Sequence, residues 1–166
     1  MKITIRAALT QEHEILTDIT LSSKHVWNYP EEFYRIWERE LTITPEYIDT
    51  NHIFVAENEE QEIVAYLSIV EVGEDVPCEQ ECMRHGYWIE HMFVKPEYIG
   101  KGIGKKLMNF AYVFCRDNKI PCLYVFSDPH AKGFYIKSGG KYLGESPSRI
   151  DGRTLPFFKL VPGLLV

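Results

Sequence analysis

At 166 residues, with 45% apolar and 25% charged side chains, the chain has the length and composition of one ordinary globular domain with a sizeable core, and residues 1–166 are expected to form a single domain. A formal net charge of −6 argues against nucleic acid or an anionic membrane as a partner. No apolar run approaches the roughly 18 residues a membrane span needs, and the opening MKITIRAALT lacks an apolar leader, so a cytoplasmic location is expected.

Ile3 and Ile5 alternate with Thr4 and Arg6 as a first strand, and Thr10 offers an N-cap for a helix through about Lys24 with Ile15, Leu16 and Ile19 toward the core. His25 to Pro30 breaks that helix. Pro30 then opens EEFYRIWERE, a second helix with acids in its first turn and Phe33, Ile36 and Trp37 as its apolar stripe. Pro45 to Thr50 is one or two helical turns. Ile53–Glu57 and Ile63–Glu71 read as a hairpin joined by the polar segment Asn58 to Glu62.

Gly73 to Gly86 is a polar excursion with a role at a site, at an interface or simply in solvent. It holds two of the four cysteines, Cys78 and Cys82; Cys115 and Cys122 lie later. The four lack a disulfide framework and read as reduced thiols. Cys78, Cys82 and His85 offer three metal ligands, but their spacing is no standard zinc pattern and no fourth ligand lies near, so no metal is expected.

The most informative stretch is Tyr87 to Leu107, YWIEHMFVKPEYIGKGIGKKL, which reads as a buried strand, a turn at Pro96 and a glycine-rich bend opening a helix. Ile103, Leu107, Phe110, Ala111 and Phe114 give that helix its apolar face. A helix start presents backbone N–H groups and the positive end of the dipole, and Gly100, Gly102 and Gly104 let the chain close around an anion. Lys101, Lys105 and Lys106 oppose the dipole there, which makes sense if a polyphosphate offsets them. The dinucleotide fingerprint GxGxxG fails because Lys105 or Leu107 stands where its last glycine belongs; the P-loop fails at Ile99 and Lys106.

Beyond this helix, CLYVFS at Cys122 to Ser127 reads as a buried parallel strand. Asp128 caps a short helix through about Lys137. Tyr142–Gly144 and Leu155–Val161 close the chain as two strands. The pattern of elements makes a mixed α/β or α+β sheet of six or seven strands with about four helices.

The string VKPEYIGKGIGKKL resembles the coenzyme A loop of the GNAT-type N-acetyltransferases, V-x-P-x-x-R/Q-G-x-G, with Ile99 in place of the Arg or Gln. A second stretch, Asp128-Pro-His-Ala-Lys-Gly-Phe-Tyr-Ile-Lys-Ser-Gly-Gly140, is similar to that family's N-x-x-A-x-x-F-Y-x-K-x-G-F, with Asp128 for Asn and Gly140 for Phe. Together the two motifs cover about the C-terminal half. The resemblance implies the GNAT-like acyl-CoA N-acyltransferase fold, whose fourth and fifth strands splay apart. It also implies acetyl-CoA as co-substrate, a small-molecule or peptide amine as acceptor, direct transfer in a ternary complex, and the homodimer that members often form.

The resemblance further implies that Gly100, Lys101, Gly102, Ile103, Gly104 and Lys105 hold the pyrophosphate, that Met92, Phe93 and Val94 meet the pantetheine arm through their backbone, and that Asp128 and Phe134 contact the coenzyme. Tyr135 aligns with the tyrosine placed beside the coenzyme sulfur, and reads as general acid or as a half-buried helix residue. Glu90, in an apolar strand, is expected to be desolvated with a raised pKa suited to a base, or else to be a structural carboxylate. His91 projects to the opposite face, a reserve base or a core histidine. Trp27 and Tyr29 are expected to wall the acceptor site or seal the core, and Arg149 and Arg153 to clamp an acceptor anion or lie on the surface. Two rival readings are a coenzyme A sensor of the same fold without transfer, and a regulatory interaction domain using the Gly73–Gly86 excursion.

Overall fold

The computed structural model of the chain describes residues 1–75 and 84–163. In chain order these form β1 (Thr4–Ala7), α1 (His13–His25), α2 (Glu31–Glu40), α3 (Pro45–Thr50), β2 (His52–Glu57), β3 (Ile63–Val72), β4 (Gly86–Val94), α4 (Ile103–Asp117), β5 (Leu123–Phe126), α5 (Lys132–Lys137), β6 (Lys141–Pro147) and β7 (Thr154–Leu160). The strands make one seven-stranded sheet in the order β1-β2-β3-β4-β5-β7-β6. The sheet is mixed, because β4 and β5 run parallel while β5–β7 and β6–β7 are antiparallel. The β4–β5 ladder is registered at Tyr87–Leu123 and Trp88–Tyr124, and β4 runs on to Val94. Among the described residues no helix is long and apolar enough to cross a membrane.

Contacts divide the chain into two compact units, Met1–Ser68 with His91–Leu107, and Ile69–Glu90 with Met108–Val166. In the first, Leu16, Ile19, Ile43, Ile48, Ile53, Val55, Ile63 and Tyr66 form the core, with Ala8, Tyr47 and Phe93 packed on it. Ile15, expected inside, is 43% exposed. A 3-10 turn at Thr10–Glu12 delays the helix to His13, and the buried stripe is Leu16, Ile19 and Thr20 at helical spacing. In α2 the buried pair is Tyr34 and Trp37. Tyr34 Oη accepts from the Tyr29 N–H at 2.9 Å and its ring stacks on His25, so a phenol is buried beside Trp37 while Phe33 and Ile36 of the expected stripe are half-buried.

Arg6 holds the start of this unit together. Its guanidinium bonds Glu57 of β2 and both carboxylate oxygens of Glu12, at 2.6 and 3.1 Å for the latter. Glu12 in turn accepts from the Leu9 N–H at 2.8 Å, which fixes the entry into α1.

The second unit is built on Trp88, 1% exposed, whose ring meets Tyr124, Phe126 and Phe157 at centroid distances of 5.2, 4.8 and 5.6 Å. Its Nε1–H donates to the Arg84 carbonyl at 2.8 Å, so the indole is buried without losing its hydrogen bond. Met108, Ala111, Tyr112 and Cys115 are the buried face of α4 in this unit. The described ends of the Gly73–Gly86 excursion meet where Asp75 Oδ1 accepts from the His85 backbone N–H at 2.8 Å. Cys78 and Cys82 lie outside the described residues, and with them the three-ligand candidate. Among the described residues no three His, Cys, Asp or Glu side chains gather as metal ligands.

Candidate functional site

In the first unit the chain leaves β4 through a tight sequence of turns. The Lys95 N–H donates to Val64 O at 2.8 Å, Pro96 opens a 3-10 turn through Tyr98, and the Lys101 N–H donates back to Tyr98 O at 3.3 Å. Gly100 and Gly102 both adopt φ +80, a region that L side chains avoid. A Cβ on either would meet nothing within 4 Å, so backbone conformation, and not crowding within the protein, demands glycine there. Ile103, 1% exposed, pins the start of α4, and the Lys106 N–H to Gly102 O contact at 3.2 Å closes its first turn.

The N–H groups of Ile103, Gly104 and Lys105 precede that turn and lack intrahelical acceptors. No acidic residue stands in the first turn, while Lys105 and Lys106 are exposed there. Open space in front of two positive-φ glycines, a helix N-terminus and local lysines fit a phosphate group. Ile99 is 41% exposed, and its N–H donates to Pro96 O at 3.2 Å in the turn that leads into the loop.

Along β4 the two candidate bases part company. Glu90 is exposed and so is not desolvated as expected, while its strand neighbours Ile89 and His91 are buried. His91 is 6% exposed, among Tyr47, Tyr66 and Phe93 at centroid distances of 5.6, 6.2 and 5.9 Å. Its backbone N–H donates to Ser68 Oγ at 2.8 Å, and Ser68 also accepts from Tyr47 Oη at 2.9 Å. Burial, and secondarily the Lys24 charge, push the imidazole down to about 4. Such a group is neutral at physiological pH and a poor proton acceptor. Met92, Phe93 and Val94 are half-buried.

A pH dependence follows from His91. The unfolded chain takes up its proton near 6.5 and the folded one only near 4, so this group's stability is intact above 6.5 and drains away as pH falls toward 4. The loss between neutrality and pH ~4.5 is roughly 2–3 kcal/mol. Urea unfolding of wild type and His91→Gln at both pH values checks it: the variant should lose less stability over the interval, and an equal loss would clear His91.

In the second unit Tyr135, on α5, is 5% exposed, its ring 5.2 Å from Phe134 and 5.8 Å from Phe158. Burial, with a smaller push from Asp128, raises its pKa well above the ordinary phenol range, so the hydroxyl keeps its proton. The end of α5 is tight: Gly139 adopts φ +86, the Gly140 N–H donates to Tyr135 O at 2.9 Å, and a Cβ on Gly140 would come within 2.7 Å of that oxygen. This explains glycine where the resembled motif has phenylalanine.

Asp128 uses both carboxylate oxygens. Oδ1 accepts from the His130 N–H at 2.9 Å, capping the 3-10 turn before α5, and Oδ2 accepts from Arg153 Nη2 at 3.2 Å. Arg153, expected to clamp an acceptor anion, instead answers Asp128, both side chains being largely buried at 12% and 15% exposure. A carboxylate in place of the motif's amide needs a counter-charge when water is scarce. Arg149 is exposed. Tyr29, in the first unit, packs edge-on against Trp37 at 5.1 Å and so seals the corner after α1, while Trp27 is 38% exposed.

Sequence reasoning passed over two groups. Lys24, 9% exposed, places its Nζ 4.4 Å from the Trp37 ring centroid. Tyr98, read only as a turn residue, hydrogen-bonds Glu62 and Asn58 at 2.9 and 3.1 Å. Both depend on partners distant in sequence, so no local pattern signals them.

A family model described as Acetyltransferase (GNAT) family matches residues 14–139. Comparison with curated protein sequences finds no significant match. Among solved structures, the chain is similar to PaiA N-acetyltransferase from Thermoplasma acidophilum in complex with coenzyme A, at 19% identity and TM-score 0.72, over 97% of this chain and 99% of that one. A GNAT-family acetyltransferase from Staphylococcus aureus gives 18% identity and TM-score 0.69 over 98% and 100%. The apo form of YjaB from Escherichia coli gives 23% and 0.65 over 97% of each chain. At these identities the structures establish the shared fold, and the family match covers most of the chain, including the glycine loop and all but the last residue of the second motif; the protein belongs to the GNAT family of acetyl-CoA-dependent N-acetyltransferases.

Proposed function

We propose that the protein transfers an acetyl group from acetyl-CoA directly to a primary amine. The observation that carries this reading is the loop at Gly100–Lys105, where two glycines at φ +80 face open space at the start of α4. The backbone N–H groups of residues 100–105 would hold the pyrophosphate, with Lys101 and Lys105 adding charge. Met92, Phe93 and Val94 would take the pantetheine arm through their backbone, and Phe134 would pack beside it. Bound acetyl-CoA supplies the activated thioester.

Tyr135 is the donor: a phenol kept neutral by burial can present its Oη–H to a sulfur as negative charge develops there. Asp128, capped on His130 and paired to Arg153, holds the turn that leads into α5 and so positions Tyr135. Glu90, in contact with solvent, suits relay of the amine proton through water better than His91, which resists charging. Trp27 and Arg149, both exposed, remain the candidates for acceptor contact.

Calorimetric titration with acetyl-CoA, followed by a thiol-release assay over amino acids, polyamines, aminoglycosides and peptides, tests the proposal. Binding with release on one amine class supports it. Binding with no release on any amine would make the protein a coenzyme sensor, and no binding would sink the reading from the glycine loop outward. Intersecting initial-rate plots are expected for a ternary complex, whereas parallel lines would indicate an acyl-enzyme.

A further inference from the structure

The glycine loop is preceded by a polar cluster that the acetyl-transfer reading leaves unused. Tyr98, the last residue of the 3-10 turn, donates its Oη–H to Glu62 Oε2 at 2.9 Å and accepts from Asn58 Nδ2 at 3.1 Å. Glu62 Oε2 also accepts from Asn58 Nδ2 at 3.0 Å, and Oε1 accepts from Lys95 Nζ at 2.7 Å. Asn58 is itself fixed, since its Oδ1 accepts from the backbone N–H groups of Glu60 and Glu62, both at 3.0 Å. Asn58 and Glu62 from the β2–β3 turn thus close on one phenol, and Lys95 from the exit of β4 holds Glu62. Lys95 first, then the hydrogen bonds from Tyr98 and Asn58, hold the Glu62 carboxyl below its usual range.

At its backbone end the same tyrosine shapes the loop. Tyr98 O accepts from the Lys101 N–H at 3.3 Å, which closes the turn around Gly100, and the Lys101 Nζ lies 5.0 Å from the Tyr98 ring centroid. Tyr98 therefore touches both the backbone and the cation of the stretch that begins the cradle.

Magnitude decides what such a cluster is for. Glu62 is 40% exposed and Lys95 24%, and ion pairs this wet contribute roughly 0–1 kcal/mol to folding. A loop with two left-handed glycines, by contrast, is costly to order when a ligand arrives, and restraint applied beforehand appears directly as affinity. We propose that Asn58, Glu62, Lys95 and Tyr98 form a positioning device that pre-orders the Gly100–Lys105 loop and the Lys101 ammonium for the coenzyme diphosphate, with Tyr98 as the linking residue. This rests on the loop being the coenzyme cradle.

The test is calorimetric titration of wild type, Tyr98→Phe and Glu62→Gln with coenzyme A, alongside thermal melts and hydrogen exchange at the amides of residues 100–105 without coenzyme. Tyr98→Phe keeps the ring against Lys101 and loses both hydrogen bonds. It should weaken coenzyme A binding about tenfold and speed exchange in the loop, with little change in melting temperature. KM for acetyl-CoA should rise with kcat at saturation nearly unchanged. Glu62→Gln, which can still accept from Tyr98, should fall between wild type and Tyr98→Phe, and the double variant should be no weaker than Tyr98→Phe alone. Unaltered affinity in a folded Tyr98→Phe would overturn the proposal while leaving the cradle intact. A drop in affinity matched by equal losses in melting temperature and kcat would also overturn it, as general damage. Failure of the wild type to bind coenzyme A would defeat the cradle and this proposal together.

Discussion

Replacing Gly102 with valine is expected to leave a folded protein that no longer takes coenzyme A. At φ +80 a β-branched residue is strained by about 1–3 kcal/mol, and the backbone relieves that by moving toward negative φ. A Cβ at this position meets nothing within 4 Å and the site lies outside the core, so the melting temperature should fall by only about 3–8 °C. The cradle has no such tolerance. Either the loop relaxes and its N–H groups turn away from a common point, or it stays and two methyl groups occupy the space the anion needs. Coenzyme A affinity should fall at least about 100-fold by calorimetry, and a folded variant with normal affinity would refute the loop assignment. Lys105→Ala makes a useful contrast, because removing one exposed first-turn charge leaves the backbone cradle in place; a loss of roughly threefold to tenfold, attenuated by salt, is expected for it.

The sequence alone was most informative where spacing is rigid. The turn at Pro96, the glycines of the loop and the start of α4 come from local rules: proline fixes φ, glycine permits positive φ, and an apolar stripe fixes the helix face. The alternation of β4 likewise separates Glu90 from His91 by period two alone. What it could not supply was the environment on each face. An acidic residue among aromatic neighbours in sequence suggests desolvation, yet Glu90 is exposed and its neighbour His91 carries the burial. The helical stripes erred by one residue for a related reason. The 3-10 turn before α1 is held by Glu12 and Arg6, a pair whose effect on helix phase no periodicity records.

Departures from a motif are informative in the same physical terms. Gly140 stands where Phe belongs because the carbonyl of Tyr135 is 2.7 Å from where its Cβ would be. Asp128 stands where Asn belongs with Arg153 supplying charge from the β6–β7 loop. Both changes constrain the helix that carries Tyr135, one at its exit and one at its entry. The first was visible as a substitution without a cause, and the second required a partner 25 residues away.

That constraint makes Tyr135→Phe the sharpest probe of mechanism. Phenylalanine keeps the ring contacts with Phe134 and Phe158 and removes one hydroxyl, so the fold and coenzyme affinity should be preserved. Because burial keeps the phenol protonated far above neutrality, Tyr135 acts as a hydrogen-bond and proton donor over the whole working range, and contributes no basic limb to the pH–rate profile near neutral pH. Loss of a positioned donor at a developing thiolate should lower kcat about 100-fold while KM for acetyl-CoA shifts less than about threefold. The signature is a uniform vertical drop: the profile of the variant should parallel that of the wild type from pH ~6 to ~9, since the removed group does not titrate there. Unaltered turnover would remove Tyr135 from the chemistry. A change in the profile's shape would instead mean that Tyr135 tunes another group, and the exposed carboxylate of Glu90 would be the next to vary.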